Sequence, residues 1–317
     1  MTIAHYTIAR RAVESDILLP ELESRSCRGA DPLQIRLGRV RPAARTVVAQ
    51  DHLPDGRLWR VLFGTAEGYL FHFPELAVFA TSRDGGKVDL FPDPEVPPET
   101  LRHLLLDQVL PYLTPTWGVG DVFHASGIAT PSGAIGFLGA TGRGKSTLAA
   151  AFARREFAVL GDDCFCVDEG PGGFRVTPWY PGLRLWPENP EADGDSAPVA
   201  HYTRKRRFRT FGDGIADAPV RAMFLLEPPA SDGGVRIQKI SPRDAALELT
   251  RHAFFLDPED RTGVQRLFDR VCRLSEGVPL FSLSYPRSFE ILDQVVDEIQ
   301  AHAGMGMLEC FDSREGP

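Results

Sequence analysis

Apolar residues in the first hundred positions fall in short runs with the length and composition of strands. Residues 33–37 alternate, with Leu33, Ile35 and Leu37 apolar between Gln34 and Arg36; that is the period of a strand with one buried face. Residues 58–63 and 69–73 are rich in Leu, Val, Phe, Trp and Tyr and flank a short Gly-containing connection, which predicts a hairpin within an antiparallel meander. Residues 76–80 and 87–91 predict two further strands around an Asp84-Gly85-Gly86 turn. Pro92, Pro94, Pro97 and Pro98 then punctuate the chain and mark a boundary, so residues 1–97 are expected to form an N-terminal β-rich domain. Leucines on a helical period predict a helix over 99–113, with Glu99 and Thr100 near its start.

From Trp117 onward the pattern becomes mixed α/β. Strands are predicted at 119–124, 127–130, 134–138 and 157–160, with an alanine-rich helix over 146–155 between the last two. Residues 164–168 and 174–177 predict a hairpin, and 178–218, rich in Pro, Gly and charge, predict loops. Strands follow at 220–226, 235–240 and 278–283. Ser241, Pro242 and Asp244 form a helix start, with a capping hydroxyl, a proline in the first turn and an acid just inside. Two more helices are predicted over 257–274 and 288–302.

Composition changes this picture little. The 317 residues are 43% hydrophobic and 25% charged, the balance of an ordinary globular chain with room for two cores. A formal net charge of −8 argues against non-specific nucleic-acid binding. No apolar run reaches the ~18 residues of a membrane span, and the N-terminus lacks the basic-then-apolar pattern of a secretion signal. Five irregularly spaced cysteines, Cys27, Cys164, Cys166, Cys272 and Cys310, suit a reduced, cytoplasmic protein better than a disulfide framework. Cys164 and Cys166 would share one face of a strand, but no second Cys or His pair has ligand spacing, so both read as buried structural thiols.

The most specific chemistry lies in residues 139–147. Gly139, Gly144, Lys145 and Ser146 match the phosphate-loop pattern of glycine, four residues, then Gly-Lys-Ser/Thr, between an apolar strand and a helix. Glycines let backbone N–H groups approach phosphate oxygens, and the helix N-terminus adds positive potential. The whole loop, Gly139, Ala140, Thr141, Gly142, Arg143, Gly144, Lys145, Ser146 and Thr147, is therefore expected to bind a nucleoside triphosphate, ATP. Lys145 would reach the β- and γ-phosphates, and the Ser146 hydroxyl would bind the accompanying Mg²⁺.

Phosphoryl transfer also needs a carboxylate for the metal and a base for the acceptor's proton. The strand at 157–160 ends in Gly161-Asp162-Asp163 only one helix after Lys145. A neighbouring like charge raises one carboxyl and a metal lowers the other, giving one metal ligand and one base. Asp162 is expected as base and Asp163 beside the metal, with the reverse order open; a solvated acidic turn is the plainer alternative. The dense basic run at 204–207 reads either as a solvated face or as a loop folding over triphosphate or an acidic peptide, with Lys205 and Arg207 the candidates.

Phe123-His124-Ala125-Ser126-Gly127, residues 135–147 and Leu160-Gly161-Asp162-Asp163 together resemble the catalytic core of the HPr serine kinase/phosphorylase family. The resemblance is specific over 119–168 and looser to about 300. It implies an α/β fold with an HPr kinase / phosphoenolpyruvate carboxykinase-like P-loop core over 98–317, and transfer of the ATP γ-phosphate to a serine hydroxyl. By position, His124 matches the family's active-site histidine, 139–146 the nucleotide loop, and Asp162 and Asp163 the paired acids; a homo-oligomer is also implied. The chain lacks the Ile-Arg-Gly-Leu-Gly-type signature of true HPr kinases. Ser15 to Leu22, Tyr180 to Pro187 and Lys205-Arg206-Arg207 look more like divergent relatives found with peptide-modification systems, including lasso-peptide kinases. The expected partner is then a peptide or protein bearing a serine. A nucleotide-sensing module without transfer activity, and a kinase acting on HPr or a small molecule, are the other readings.

Overall fold

A computed structural model describes residues 3–22, 31–192, 194–209, 217–229 and 234–304. Cys27 and Cys310, and part of the predicted 178–218 loop region, lie outside the described residues. The chain is mixed α/β with a β-rich N-terminal part.

Eight strands come first: β1 (Ala4–Ile8), β2 (Arg11–Ser15), β3 (Leu33–Leu37), β4 (Thr46–His52), β5 (Leu58–Gly64), β6 (Gly68–Phe73), β7 (Ala77–Ser82) and β8 (Lys87–Pro92). They form one sheet in the order β1-β2-β3-β8-β7-β6-β5-β4. The expected meander is present from β4 to β8 with antiparallel pairing throughout. β3, however, pairs parallel with both β2 and β8. Tyr69, Phe71 and Phe73 on β6 share one face of the sheet and join its main core, whereas Leu70 packs with Val78, Ala80 and Phe91 on the other; this is the period of 2 that the alternation demands.

A helical segment covers the main-core face. It begins as α1 (Pro98–His103), passes through a π-helical turn at Leu104–Val109, continues as α2 (Leu110–Leu113) and ends as a 3₁₀ turn at Thr114–Trp117. Pro111 sits at the junction. Its ring has no N–H to continue the i→i−4 ladder, and a π-turn absorbs the mismatch. Leu104, Leu105, Leu106, Val109, Leu110 and Leu113 are fully buried against the sheet, in a core that also contains Cys164, Cys166, Trp179 and Tyr180.

The remaining strands are β9 (Asp121–Phe123), β10 (Ala125–Thr130), β11 (Gly133–Leu138), β12 (Ala158–Gly161), β13 (Phe165–Gly170), β14 (Gly173–Thr177), β15 (Leu183–Leu185), β16 (Ser196–Pro198), β17 (Arg206–Phe208), β18 (Ala218–Leu226), β19 (Arg236–Lys239) and β20 (Leu280–Ser284). The helices are α3 (Lys145–Arg154), α4 (Pro242–His252), α5 (Arg261–Gly277) and α6 (Leu292–His302). β11, β18 and β20 run parallel at the centre of a nine-stranded sheet. α3 and α6 pack on one face with Ile135, Phe137 and Phe224. α4 and α5 pack on the other with Ala134, Leu138 and Leu225. The result is three layers, helix–sheet–helix. The Ser241 side chain caps α4 by accepting from the Asp244 N–H, as its sequence predicts. Residues 178–218 are not simply loops: β15, β17 and β16 form a small antiparallel sheet, so part of the basic run is a strand.

Candidate functional site

β11 leads into residues 139–144 and then α3. The glycines are there for conformation. Gly139, Gly142 and Gly144 have φ of 141°, 78° and 97°, values at which a Cβ is strained. A Cβ on Gly139 would also lie 3.0 Å from the Leu226 carbonyl oxygen at the end of β18. α3 is held by burial of Leu148, Ala149, Ala151 and Phe152 against the sheet. Its first-turn N–H groups, which have no helical acceptor, therefore open onto the loop as a place for an anion.

Lys145 is almost buried, at 5% exposure. Its Nζ donates to the Gly139 carbonyl at 2.7 Å and contacts His124 Nε2 at 3.1 Å. Burial lowers the Lys145 pKa, and Asp163 and Asp162 partly oppose the shift. Burial likewise lowers that of His124, with Asp163 opposing and Lys145 reinforcing. A neutral imidazole can accept from Lys145 through Nε2, which places its proton on Nδ1. Nδ1 faces Asp163 Oδ1 at 3.8 Å. His124 stands between β9 and β10, its N–H held by the His252 carbonyl at 2.7 Å and its ring edge-on to Phe254.

The paired acids follow β12. Asp162 is 1% exposed. Its Oδ1 accepts from Ser126 Oγ at 2.6 Å and Ser146 Oγ at 2.9 Å, and its Oδ2 from the Arg184 N–H at 2.8 Å. Asp163 has φ of 65°, so the backbone turns there and the two side chains part. Gly161 has a different role: a Cβ on it would lie 2.5 Å from the Cys164 carbonyl oxygen, so only glycine lets the chain fold back this tightly. Burial raises the Asp163 pKa, but Arg184, His124, Lys205 and Lys145 outweigh it and hold the carboxyl well below the usual carboxylate range. This carboxylate is anionic at any moderate pH.

Sequence reasoning missed Arg184, Asp107 and Ser126. Arg184, on β15 and 3% exposed on its side chain, reaches Asp107 at 2.9 Å and Asp163 at 3.2 Å, and also donates to the Asp162 carbonyl. Asp107, in the π-turn, accepts from Tyr180 Oη at 2.6 Å and pairs with His103 at 2.7 Å. One sequence signal was available: an acid directly after three leucines in an apolar helix face needs a buried partner.

The basic run is dispersed. Lys205 lies 6.0 Å over the Trp186 ring and close enough to act on Asp163 and Lys145. Arg207 faces Glu21 at 4.0 Å. Arg204 pairs with Glu188, and Arg206 donates to Ser196. In the loop, Thr147 Oγ1 accepts from Asn189 Nδ2 at 3.0 Å, the Arg143 N–H donates to Ala140 at 3.1 Å, and Thr141 and Gly142 form the loop's tip. Cys164 and Cys166 are buried thiols, with burial pushing Cys166 up to about 12 and Cys164 well above its ordinary value. Among the described residues no group of three or more His, Cys, Asp or Glu has metal-holding geometry, and no helix is long and apolar enough to cross a membrane.

No protein-family model matches the chain, and no curated protein matches its sequence. Among solved structures it is similar to the Hpr(Ser) kinase/phosphatase from Coxiella burnetii, at 10% identity and a TM-score of 0.32, over 57% of this chain and 95% of that one. A likeness of that size carries no weight for the site, whose chemistry rests on the distances above.

Proposed function

We propose that the chain is an ATP- and Mg²⁺-dependent serine kinase with a P-loop core, acting on a peptide or protein; a lasso-peptide precursor is the acceptor that the sequence resemblance favours. The observation that carries this proposal is the Ser146–Asp162 contact of 2.9 Å, at the start of the helix that follows the glycine-rich loop, with Asp163 and His124 beside it. The loop and the first turn of α3 bind the phosphates through N–H groups. Lys145 exchanges its contacts with Gly139 and His124 for phosphate oxygens.

Ser146 and Asp162 supply hard oxygen donors, and three of the roughly four acceptor positions on the Asp162 carboxylate are used. That fits Mg²⁺, which takes one or two protein oxygens and completes its shell with phosphates and water. The ion supplies charge neutralisation at the phosphates.

The geometry favours exchanging the roles expected from sequence. Asp162 is sealed at 1% exposure, whereas the Asp163 side chain is 23% exposed and faces His124. An incoming hydroxyl can reach Asp163. A triphosphate bound by Lys145 also weakens one of the cationic influences that depress Asp163, so its basicity rises when donor is present. Asp163 then takes the serine proton, and His124 holds that carboxylate's position. The free thiols of Cys164, Cys166 and Cys272 agree with a cytoplasmic setting.

The test is incubation with Mg²⁺, γ-labelled ATP and serine-bearing peptides, including lasso-type precursors, followed by mass spectrometry of the product. Phosphoserine is expected. Bound ATP with no labelled acceptor would favour the nucleotide-sensing alternative.

A further inference from the structure

Between the end of β20 and the start of α6 the chain turns back over the glycine-rich loop, and a cavity of 190 Å³ opens there. Gly142, Gly144 and Thr147 line one side and Tyr285, Arg287 and Phe289 the other. Three features point to a ligand. Tyr285 is 9% exposed, and its hydroxyl has no hydrogen-bond partner among the described residues; it lies 3.3 Å from where a Cβ on Gly144 would project. A hydroxyl that opens onto the cavity from a nine-tenths-buried ring, next to an anion-binding loop and with no acceptor among the described residues, is placed to donate to a ligand. Phe289 is 51% exposed, a large aromatic held at the mouth of a cavity and not in the core. Nothing lies within 4 Å of a Cβ built on Gly142, so the space over the loop is open.

The cavity is smaller than the ~300–1,000 Å³ that takes a drug-sized ligand, which suits one flat ring system. We propose that it is the nucleoside subsite of the same nucleotide, and that the ligand is a purine nucleoside: the base stacks on Phe289, Arg287 donates to a purine ring acceptor such as N7, and the Tyr285 hydroxyl donates to an oxygen of the ribose or the α-phosphate. This rests on the phosphate-binding role proposed for residues 139–147. It adds that donor selectivity comes from a turn about 140 residues further along the chain, which carries no nucleotide motif of its own.

Calorimetric titration with Mg²⁺–ATP and with Mg²⁺–tripolyphosphate, which lacks a nucleoside, tests it. The wild-type chain should bind ATP at least tenfold more tightly than tripolyphosphate. Phe289→Ala should lose roughly tenfold in ATP affinity, the scale of one base–aromatic stack, with tripolyphosphate affinity unchanged; Tyr285→Phe should lose less in the same direction. Thermal unfolding of both variants checks that the fold is intact. Equal wild-type affinities, or a Phe289→Ala loss shared by both ligands, would overturn the subsite and leave the phosphate-binding role standing. Binding of neither ligand would overturn both.

Discussion

Asp162 and Asp163 are adjacent, yet a single left-handed residue separates their surroundings. Asp162 is enclosed by Ser126, Ser146 and the Arg184 N–H, while Asp163 sits among Arg184, His124, Lys205 and Lys145. Arg184 links both to Asp107 on the helical segment. Removing a partner from a buried ion pair leaves charge without compensation, at about 3–5 kcal/mol, so Arg184→Met should destabilise the fold by that order in urea unfolding at pH 7. The pH dependence has a definite sign. The folded pKa of Asp163 is depressed, so its contribution is complete above the unfolded value of about 3.9 and disappears as pH falls through the lower folded value. The gap between wild type and Arg184→Met should therefore be largest near pH 7 and narrow as pH falls and the carboxyls that lost Arg184 take up protons; a gap that widens in acid would contradict the assignment. The loop and the acids were legible from sequence because Gly-Lys-Ser and a strand-terminal Asp pair are local patterns. Arg184 and Asp107 were not, because 77 residues separate them in the chain and only the fold brings them together.

At the scale of elements, the tight return from β12 to β13 is what brings the acids under α3. It depends on Gly161, where a Cβ would meet backbone and not a movable side chain. Gly161→Ala should cost about 1–3 kcal/mol and reduce phosphate transfer by more than it reduces ATP affinity, since the loop itself is untouched; equal losses in both would mean that this turn does not position the acids. The alternating strand β3 and the aliphatic- and aromatic-rich strands β5 and β6 could be read from the sequence. β1, β2 and β4 were not: residues 11–15 and 46–52 do not alternate, and although residues 4–8 do, the β1–β2 turn is made by Ala9 and Arg10 at left-handed φ with no Gly, Asn or Asp to signal a hairpin. The π-turn at Leu104–Val109 escaped because the leucine period continues across it, although Pro111 marked the place. β15, β16 and β17 are three residues each, too short for any period to register in a proline-rich stretch.

Across the whole molecule, the first core runs from β1 through the helical segment to Trp179 and Tyr180. Contacts such as Arg102–Glu21 at 2.9 Å and Trp59 edge-on to Tyr202 at 5.2 Å add to that continuity. We therefore propose that residues 1–97 and 98–317 fold as one cooperative unit, and a fragment of 98–317 should lack a sharp thermal transition because its leucine face would be exposed. The charge of −8 gave no hint of the local concentration of Lys145, Arg184 and Lys205 around Asp163, which only the assembled fold creates. Together we take these groups as a phosphotransfer site with Asp163 as base. It is tested most directly by measuring transfer of label from γ-³²P-ATP to a serine peptide in wild type and Asp163→Asn, alongside ATP affinity. Transfer should fall at least about a hundredfold with ATP affinity within a few-fold of wild type; transfer at the wild-type rate in Asp163→Asn would contradict the role of Asp163 as base.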